Sequence, residues 1–185
     1  MRIISGKFKG LKLFSPKNNL IRPTSDRGKE TIFNTLTSIL FIEEKSFSKM
    51  RVLDCFCGSG ALGIECISRG SENVYFIDSS EVAIDLTKKN CSLLDENKNL
   101  NFLKLDLTNF EIDLINADLF FLDPPYDEVD IEKVLGLLKI NRSINEKSIG
   151  IIEVPFKKEI VIPEGFKKIT VKKVSSSNFL FLKKI

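Results

Sequence analysis

Beyond Arg51 the chain alternates short apolar runs with stretches of helical periodicity, the signature of βαβ units and a parallel sheet. The apolar runs predict strands over 51–55, 73–77, 100–105, 118–122 and 149–154. Between them the period predicts helices over 61–69, closed by Gly70, over 81–96 with Val82, Leu86 and Leu93 inward, and over 129–139. Leu119-Phe120-Phe121-Leu122 is apolar on both faces, which predicts a central strand in a doubly covered sheet. After Pro163-Glu164-Gly165, two alternating segments, 167–174 and 179–182, read as an antiparallel pair at the sheet edge. Together these make an α/β fold on a mostly parallel seven-stranded sheet with an antiparallel edge, and such a sheet binds ligands outside the carboxyl ends of its strands.

Ahead of this pattern, Gly6-Lys7-Phe8-Lys9-Gly10 predicts a short hairpin, with Pro16 and Pro23 as breakers. A helix then starts at Ser25 or Asp26, with Ile32, Leu36, Ile39 and Leu40 on one face. The polar stretch 43–49 is the natural hinge, so residues 1–45 form a basic extension and 46–185 the main domain. A length of 185 residues agrees with one domain plus a small extension.

Composition narrows the chemistry. Histidine is absent, which removes Ser-His-Asp and Cys-His nucleophilic sites, His-liganded metals and imidazole acid/base catalysis. Cys55, Cys57, Cys66 and Cys91 have the spacing of neither a zinc site nor a disulfide framework; they read as small buried hydrophobes in a reducing compartment, and no metal is expected. With no signal peptide and no apolar stretch approaching the ~20 residues of a membrane span, the protein is expected in the cytoplasm. The net charge of +3 hides an asymmetry: residues 1–30 and 156–185 each carry +6, and 31–155 carry −9. Basic ends beside an acidic crevice suit a nucleic acid and a cationic small ligand, although solvated lysines explain the charge alone equally well.

Two motifs carry chemistry. Gly58-Ser59-Gly60-Ala61-Leu62-Gly63, with Asp78 at the end of the next strand, matches a dinucleotide fingerprint. Asp54, at the carboxyl end of the first strand, argues against that ligand, because a carboxylate there repels a pyrophosphate and favours an ammonium group. S-adenosyl-L-methionine (SAM) has an ammonium, a sulfonium and no phosphate. On this reading Asp54 acts on the ammonium, Cys57, Gly58 and Gly60 bring the backbone close, Asp78 accepts the ribose hydroxyls, and Asp106 accepts from the adenine amine. Each acid reads alternatively as a turn or cap residue, and NAD remains the competing cofactor.

The second motif, Asp123-Pro124-Pro125-Tyr126, follows the central strand. The Asp123 carboxylate and the Pro124 carbonyl can each accept one N–H of an exocyclic amine, turning its lone pair toward a methyl donor. The two prolines fix the carbonyl's direction, and Tyr126 can stack on a flipped base. The same tetrapeptide serves guanine N2, adenine N6 or a glutamine amide.

The segment Arg22-Pro23-Thr24-Ser25-Asp26-Arg27-Gly28-Lys29-Glu30-Thr31-Ile32-Phe33-Asn34, taken with 53–63, Asp123-Pro124-Pro125-Tyr126 and the opening 1–10, closely resembles the RsmD family, bacterial 16S rRNA guanine-N2 methyltransferases. The resemblance covers nearly the whole chain. It implies a Rossmann-like SAM-dependent methyltransferase fold, and a monomer that methylates one guanine of 16S rRNA in the small ribosomal subunit or an assembly intermediate. It implies that Thr24 and Arg27 help to close over SAM and that Arg2, Lys7, Lys9, Lys12 and Arg22 contact RNA. Two departures stand out: Gly28 replaces an aliphatic residue, and 173–179 lacks the family's glycine-containing turn. A DNA adenine-N6 or protein glutamine methyltransferase, and a non-catalytic NAD- or RNA-binding module, are the alternatives.

Overall fold

The computed structural model describes residues 1–15, 25–95, 99–111, 115–125, 129–157 and 161–185. Along them run α1 (Asp26–Ile42), β1 (Arg51–Cys55), α2 (Ala61–Ser68), β2 (Asn73–Asp78), α3 (Glu81–Cys91), β3 (Asn99–Lys104), β4 (Ala117–Leu122), α4 (Ile131–Ile140), β5 (Ile144–Pro155), β6 (Phe166–Val174) and β7 (Ser177–Lys184). The strands form one seven-stranded sheet in the order β3-β2-β1-β4-β5-β7-β6, parallel except for β7, which runs against both β5 and β6. This is the sheet expected from the sequence.

The centre of the sheet follows from its side chains. In β4, Leu119 and Phe121 enter the core cluster built with α1, α2 and α3, while Phe120 and Leu122 enter the cluster built with α4. All four are at most 1% exposed, and burial of each contributes roughly 1.5 to 3 kcal/mol. Ile32, Leu36, Ile39 and Leu40 of α1 are buried as their spacing predicts. The Ser25 hydroxyl caps α1 by accepting from the Gly28 N–H, so Gly28 sits buried in a capped first turn. All four cysteines are free and buried.

Some boundaries differ from expectation. The helix expected over 81–96 ends at Cys91, and its inward stripe is Ala83, Ile84, Thr87, Asn90 and Cys91. Val82 is 73% exposed and Leu93 36%, because Thr87 and Asn90 have hydrogen-bond partners inside and can be buried, which rotates the helix by one residue, ~100°, from the apolar reading. The fifth strand begins at Ile144 rather than at 149, with a register irregularity opposite Ala117 and Leu119. Asp130 caps α4 two residues later than expected.

The N-terminal hairpin closes with a single Arg2–Lys12 bridge and is held mainly by α2. The fully buried Glu65 carboxylate accepts from the Ile4 N–H at 2.8 Å and the Ser5 N–H at 3.0 Å, and pairs with Arg69 at 3.0 Å. The Ser68 carbonyl accepts from the Lys7 N–H. Gly6 fits this contact at φ +85°; a Cβ there would lie 1.9 Å from the Ser68 carbonyl oxygen. Lys29 of α1 is fully buried too, with its ammonium donating to the Arg2 carbonyl and pairing with Asp26 at 3.5 Å. One of the eight basic residues near the N-terminus is therefore structural. At the other end of α1, its C-cap residue Glu43 pairs with the ammonium of Lys183 on β7, which ties the extension to the C-terminal strand.

Gly6→Ala should cost more stability than Gly10→Ala in denaturant titration. Both glycines have positive φ, costing alanine about 1–2 kcal/mol, but a Cβ at Gly10 meets nothing within 4 Å. Ser175 occupies the turn between β6 and β7 at φ +52°, so Ser175→Gly should stabilise the protein by about 1 kcal/mol.

Candidate active site

The glycine loop leaves the carboxyl end of β1 and is fastened from three sides. The Cys57 N–H donates to the Ile77 carbonyl, and the Gly58 N–H donates to Asp78 Oδ2 at 3.0 Å. Asp78 Oδ1 accepts from the Ser80 N–H at 2.9 Å. From α3, Thr87 Oγ1 donates to the Gly58 carbonyl and Asn90 Nδ2 to the Ser59 carbonyl. The same Asn90 amide exchanges hydrogen bonds with the Phe14 N–H and carbonyl, joining the loop to the N-terminal segment. Gly58 takes φ +55°; Gly60, at φ +74°, lies where a Cβ would come within 2.6 Å of Thr87, so Gly60 serves close packing of the loop on α3.

Thr87, Asn90 and Glu65 were not singled out from sequence. The signal was present: Thr87 and Asn90 lie three apart in the stripe shared with Ala83, Ile84 and Cys91, and polar residues in an apolar stripe mark buried partners.

Asp54 is 2% exposed and accepts from the Gly63 N–H at 2.9 Å, at the amino end of α2. Burial pushes its carboxyl up to about 7, the Gly63 N–H works in the opposite direction, and the negative charge of Asp78 adds to the rise. Asp106 is exposed and its oxygen accepts from both the Thr108 N–H and hydroxyl, which hold its carboxyl below the ordinary value; locally it is a turn acid.

Asp123, Pro124 and Pro125 follow β4 directly, half-buried, buried and exposed in turn. Asp123 lines a small pocket with Phe121 and Leu122 of β4, Ile151 and Glu153 of β5, Ile32 of α1, Leu62 of α2 and Phe179 of β7. Leu62 comes just after the glycine loop, and β1 and β4 are paired neighbours, so pocket and loop share one end of the sheet. Glu153 is an addition that sequence reading passed over: its Oε1 accepts from the Ser177 hydroxyl at 2.6 Å. Arg2, Lys7, Lys9 and Lys12 are exposed on the hairpin, with Arg2 3.5 Å from Asp26, and Arg27 is exposed on α1. Arg22, Thr24 and Tyr126 lie outside the described residues. Among the described residues no group of three or more His, Cys, Asp or Glu could hold a metal ion, and no helix is long and apolar enough to cross a membrane.

The family described as "Conserved hypothetical protein 95" matches residues 1–183. The small-subunit ribosomal RNA methyltransferase D of Haemophilus influenzae is 31% identical over 90% of this chain and 84% of its own length. The chain belongs to the RsmD family. Among solved structures, the Escherichia coli protein YhhF superposes with a TM-score of 0.84 at 24% identity, covering 100% of this chain and 97% of that one. A Synechocystis magnesium protoporphyrin IX methyltransferase with bound SAM superposes with a TM-score of 0.63 at 16% identity, covering 93% of this chain and 87% of that one. The fold is thus the Rossmann-like fold of SAM-dependent methyltransferases.

The burial of Asp54 has a pH signature. Below the unfolded value near ~3.9 the carboxyl is protonated in both states and its burial costs little. As pH rises toward about 7 only the unfolded state ionises readily, so the stability that Asp54 allows is lost across that window. Denaturant titrations of wild type and Asp54→Asn should therefore diverge with pH, the variant gaining about 1 to 4 kcal/mol relative to wild type between pH 4 and pH 7.

Proposed function

We propose that the protein transfers a methyl group from SAM to the exocyclic N2 amine of one guanine in 16S rRNA, within the small ribosomal subunit or an assembly intermediate. The observation that carries this reading is the position of Asp123 and Pro124 at the carboxyl end of β4, one strand from the fastened glycine loop at the end of β1. The rRNA methyltransferase of Haemophilus influenzae, to which the chain is similar, supports the rRNA substrate; guanine N2 rests on the family resemblance.

The residues present fit SAM better than a dinucleotide. A buried Asp54 carboxyl raised to about 7 ionises at neutral pH more readily beside a cation, and a pyrophosphate at the α2 N-terminus would oppose it. Asp78, fixed by two backbone N–H groups, keeps lone-pair capacity for ribose hydroxyls. Gly58 offers half-exposed backbone beside it, and Asp106, Thr24 and Arg27 complete the proposed set.

Bound SAM supplies a methyl group made electrophilic by its sulfonium. Asp123 and the Pro124 carbonyl accept the two N–H groups of the amine, which lessens delocalisation of the nitrogen lone pair into the ring and directs it along the line of transfer. The nitrogen–carbon bond forms as the carbon–sulfur bond breaks. The proton then leaves the resulting ammonium for Asp123 or for water, so neither a metal nor a histidine is needed. Tyr126 stacks on the flipped base, a contact worth ~1 to 3 kcal/mol. Arg2, Lys7, Lys9, Lys12 and Arg22 hold the RNA backbone, and the protein works as a cytoplasmic monomer.

Incubation with labelled SAM and small subunits lacking the modification, beside naked rRNA and DNA, tests this. Label should appear on one guanine N2 of the rRNA. Asp123→Ala should lower the rate by ~10²- to 10³-fold while leaving SAM binding intact by calorimetry. Full activity in that variant, or label on DNA alone, would overturn the reading.

A further inference from the structure

β4 and β5 lie side by side in parallel, with Phe121 opposite Ile151 and Leu122 opposite Ile152. One step further in that register sets Asp123 beside Glu153. Strand alternation puts both on the face of Phe121 and Ile151, and both line the same pocket. Neighbouring strands are ~4.8 Å apart, so one planar ring can reach the two carboxylates together. Glu153 interrupts the apolar run Ile149-Gly150-Ile151-Ile152-Glu153-Val154, and desolvating a carboxylate there is unfavourable without polar partners. The buried Ser177 donates to Oε1 at 2.6 Å and fixes its orientation.

A second acceptor beside the amine site requires a second donor beside the amine. Among the nucleobases that carry an exocyclic amine, guanine alone meets that requirement. Its N2 is flanked by the N1–H donor, whereas adenine N6 is flanked by the N1 and N7 lone pairs and cytosine N4 by the N3 lone pair and a C–H. A carboxylate facing those lone pairs is repelled.

We propose that Glu153 is the specificity-determining residue of this pocket: it accepts the N1–H of a guanine whose N2 amine is held by Asp123, and so excludes adenine and cytosine. The proposal deepens, and rests on, the methyl-transfer reading above. It adds a choice of base that Asp123-Pro124-Pro125-Tyr126 leaves open.

The test uses small subunits reconstituted with either guanine or 2,6-diaminopurine at the target position. The analogue keeps the 2-amine and replaces the N1–H donor with a lone pair. Wild type should prefer guanine by roughly 10²-fold in kcat/KM, as a site built to accept a hydrogen bond rejects a ligand lacking the donor. Glu153→Gln can donate its amide N–H to the analogue's N1, so it should erase or reverse that preference with SAM affinity within about twofold of wild type by calorimetry. Ser177→Ala, which removes the hydroxyl's hydrogen bond to the carboxylate and keeps the carboxylate itself, should weaken the preference by about tenfold. Equal rates of wild type on the two subunits would overturn the role of Glu153 alone, and that arm needs no variant to fold. An unchanged preference in Glu153→Gln would also overturn it. Labelling of neither subunit by wild-type protein that binds SAM would overturn the methyl-transfer reading, and the role of Glu153 with it.

Discussion

The Asp54–Gly63 hydrogen bond, buried at the junction of β1 and α2, is the constraint on which the ligand end of the sheet depends. It fixes how the helix leaves the strand, and the intervening loop must then pass through left-handed conformations at Phe56, Gly58 and Gly60. A hydrogen bond to an ionised group contributes about 1.5–3 kcal/mol, yet the same burial makes the charge costly. The raised carboxyl pKa of Asp54 records that conflict. A cationic ligand relieves it, which is the physical link between this junction and the proposed cofactor.

The same device recurs where the N-terminal segment joins the sheet. Glu65, Lys29 and Asn90 are fully buried polar residues, and each reaches backbone of the segment: Ile4 and Ser5, Arg2, and Phe14. Removing one partner from such a contact leaves a desolvated group unmatched, so the arrangement specifies a single docked position more sharply than apolar contact would. Through Asn90 the docked hairpin and the glycine loop share one side chain. RNA held by the hairpin's exposed lysines would thereby be coupled mechanically to the loop proposed to hold the cofactor.

The pocket draws its walls from five elements of distant sequence position, and its two carboxylates from adjacent strands. The pairing register of β4 and β5, fixed by Phe121 against Ile151 in one core and Leu122 against Ile152 in the other, sets the spacing of those acids. A one-residue slip would turn every one of these side chains to the opposite face. Core packing and site geometry are therefore one constraint.

Much of this was written locally. The strand order could not be read, but the number and type of strands, the centrality of Leu119 to Leu122, the cap of α1 and the glycine turn all depend on neighbours a few residues away, where periodicity, capping and turn chemistry act. Asp54, Asp78 and Asp123 were legible for the same reason, each ending an apolar run. Tertiary structure alone decided the inward face of α3, because burial of Thr87 and Asn90 depends on carbonyls of the glycine loop 29 to 31 residues away. It alone turned Lys29 from a surface cation into a buried tether, and it alone brought Glu153 beside Asp123. A sequence states what each side chain can donate or accept; which partner it meets across the sheet is set only when distant segments pack, and a buried polar group is stable only where that partner is waiting.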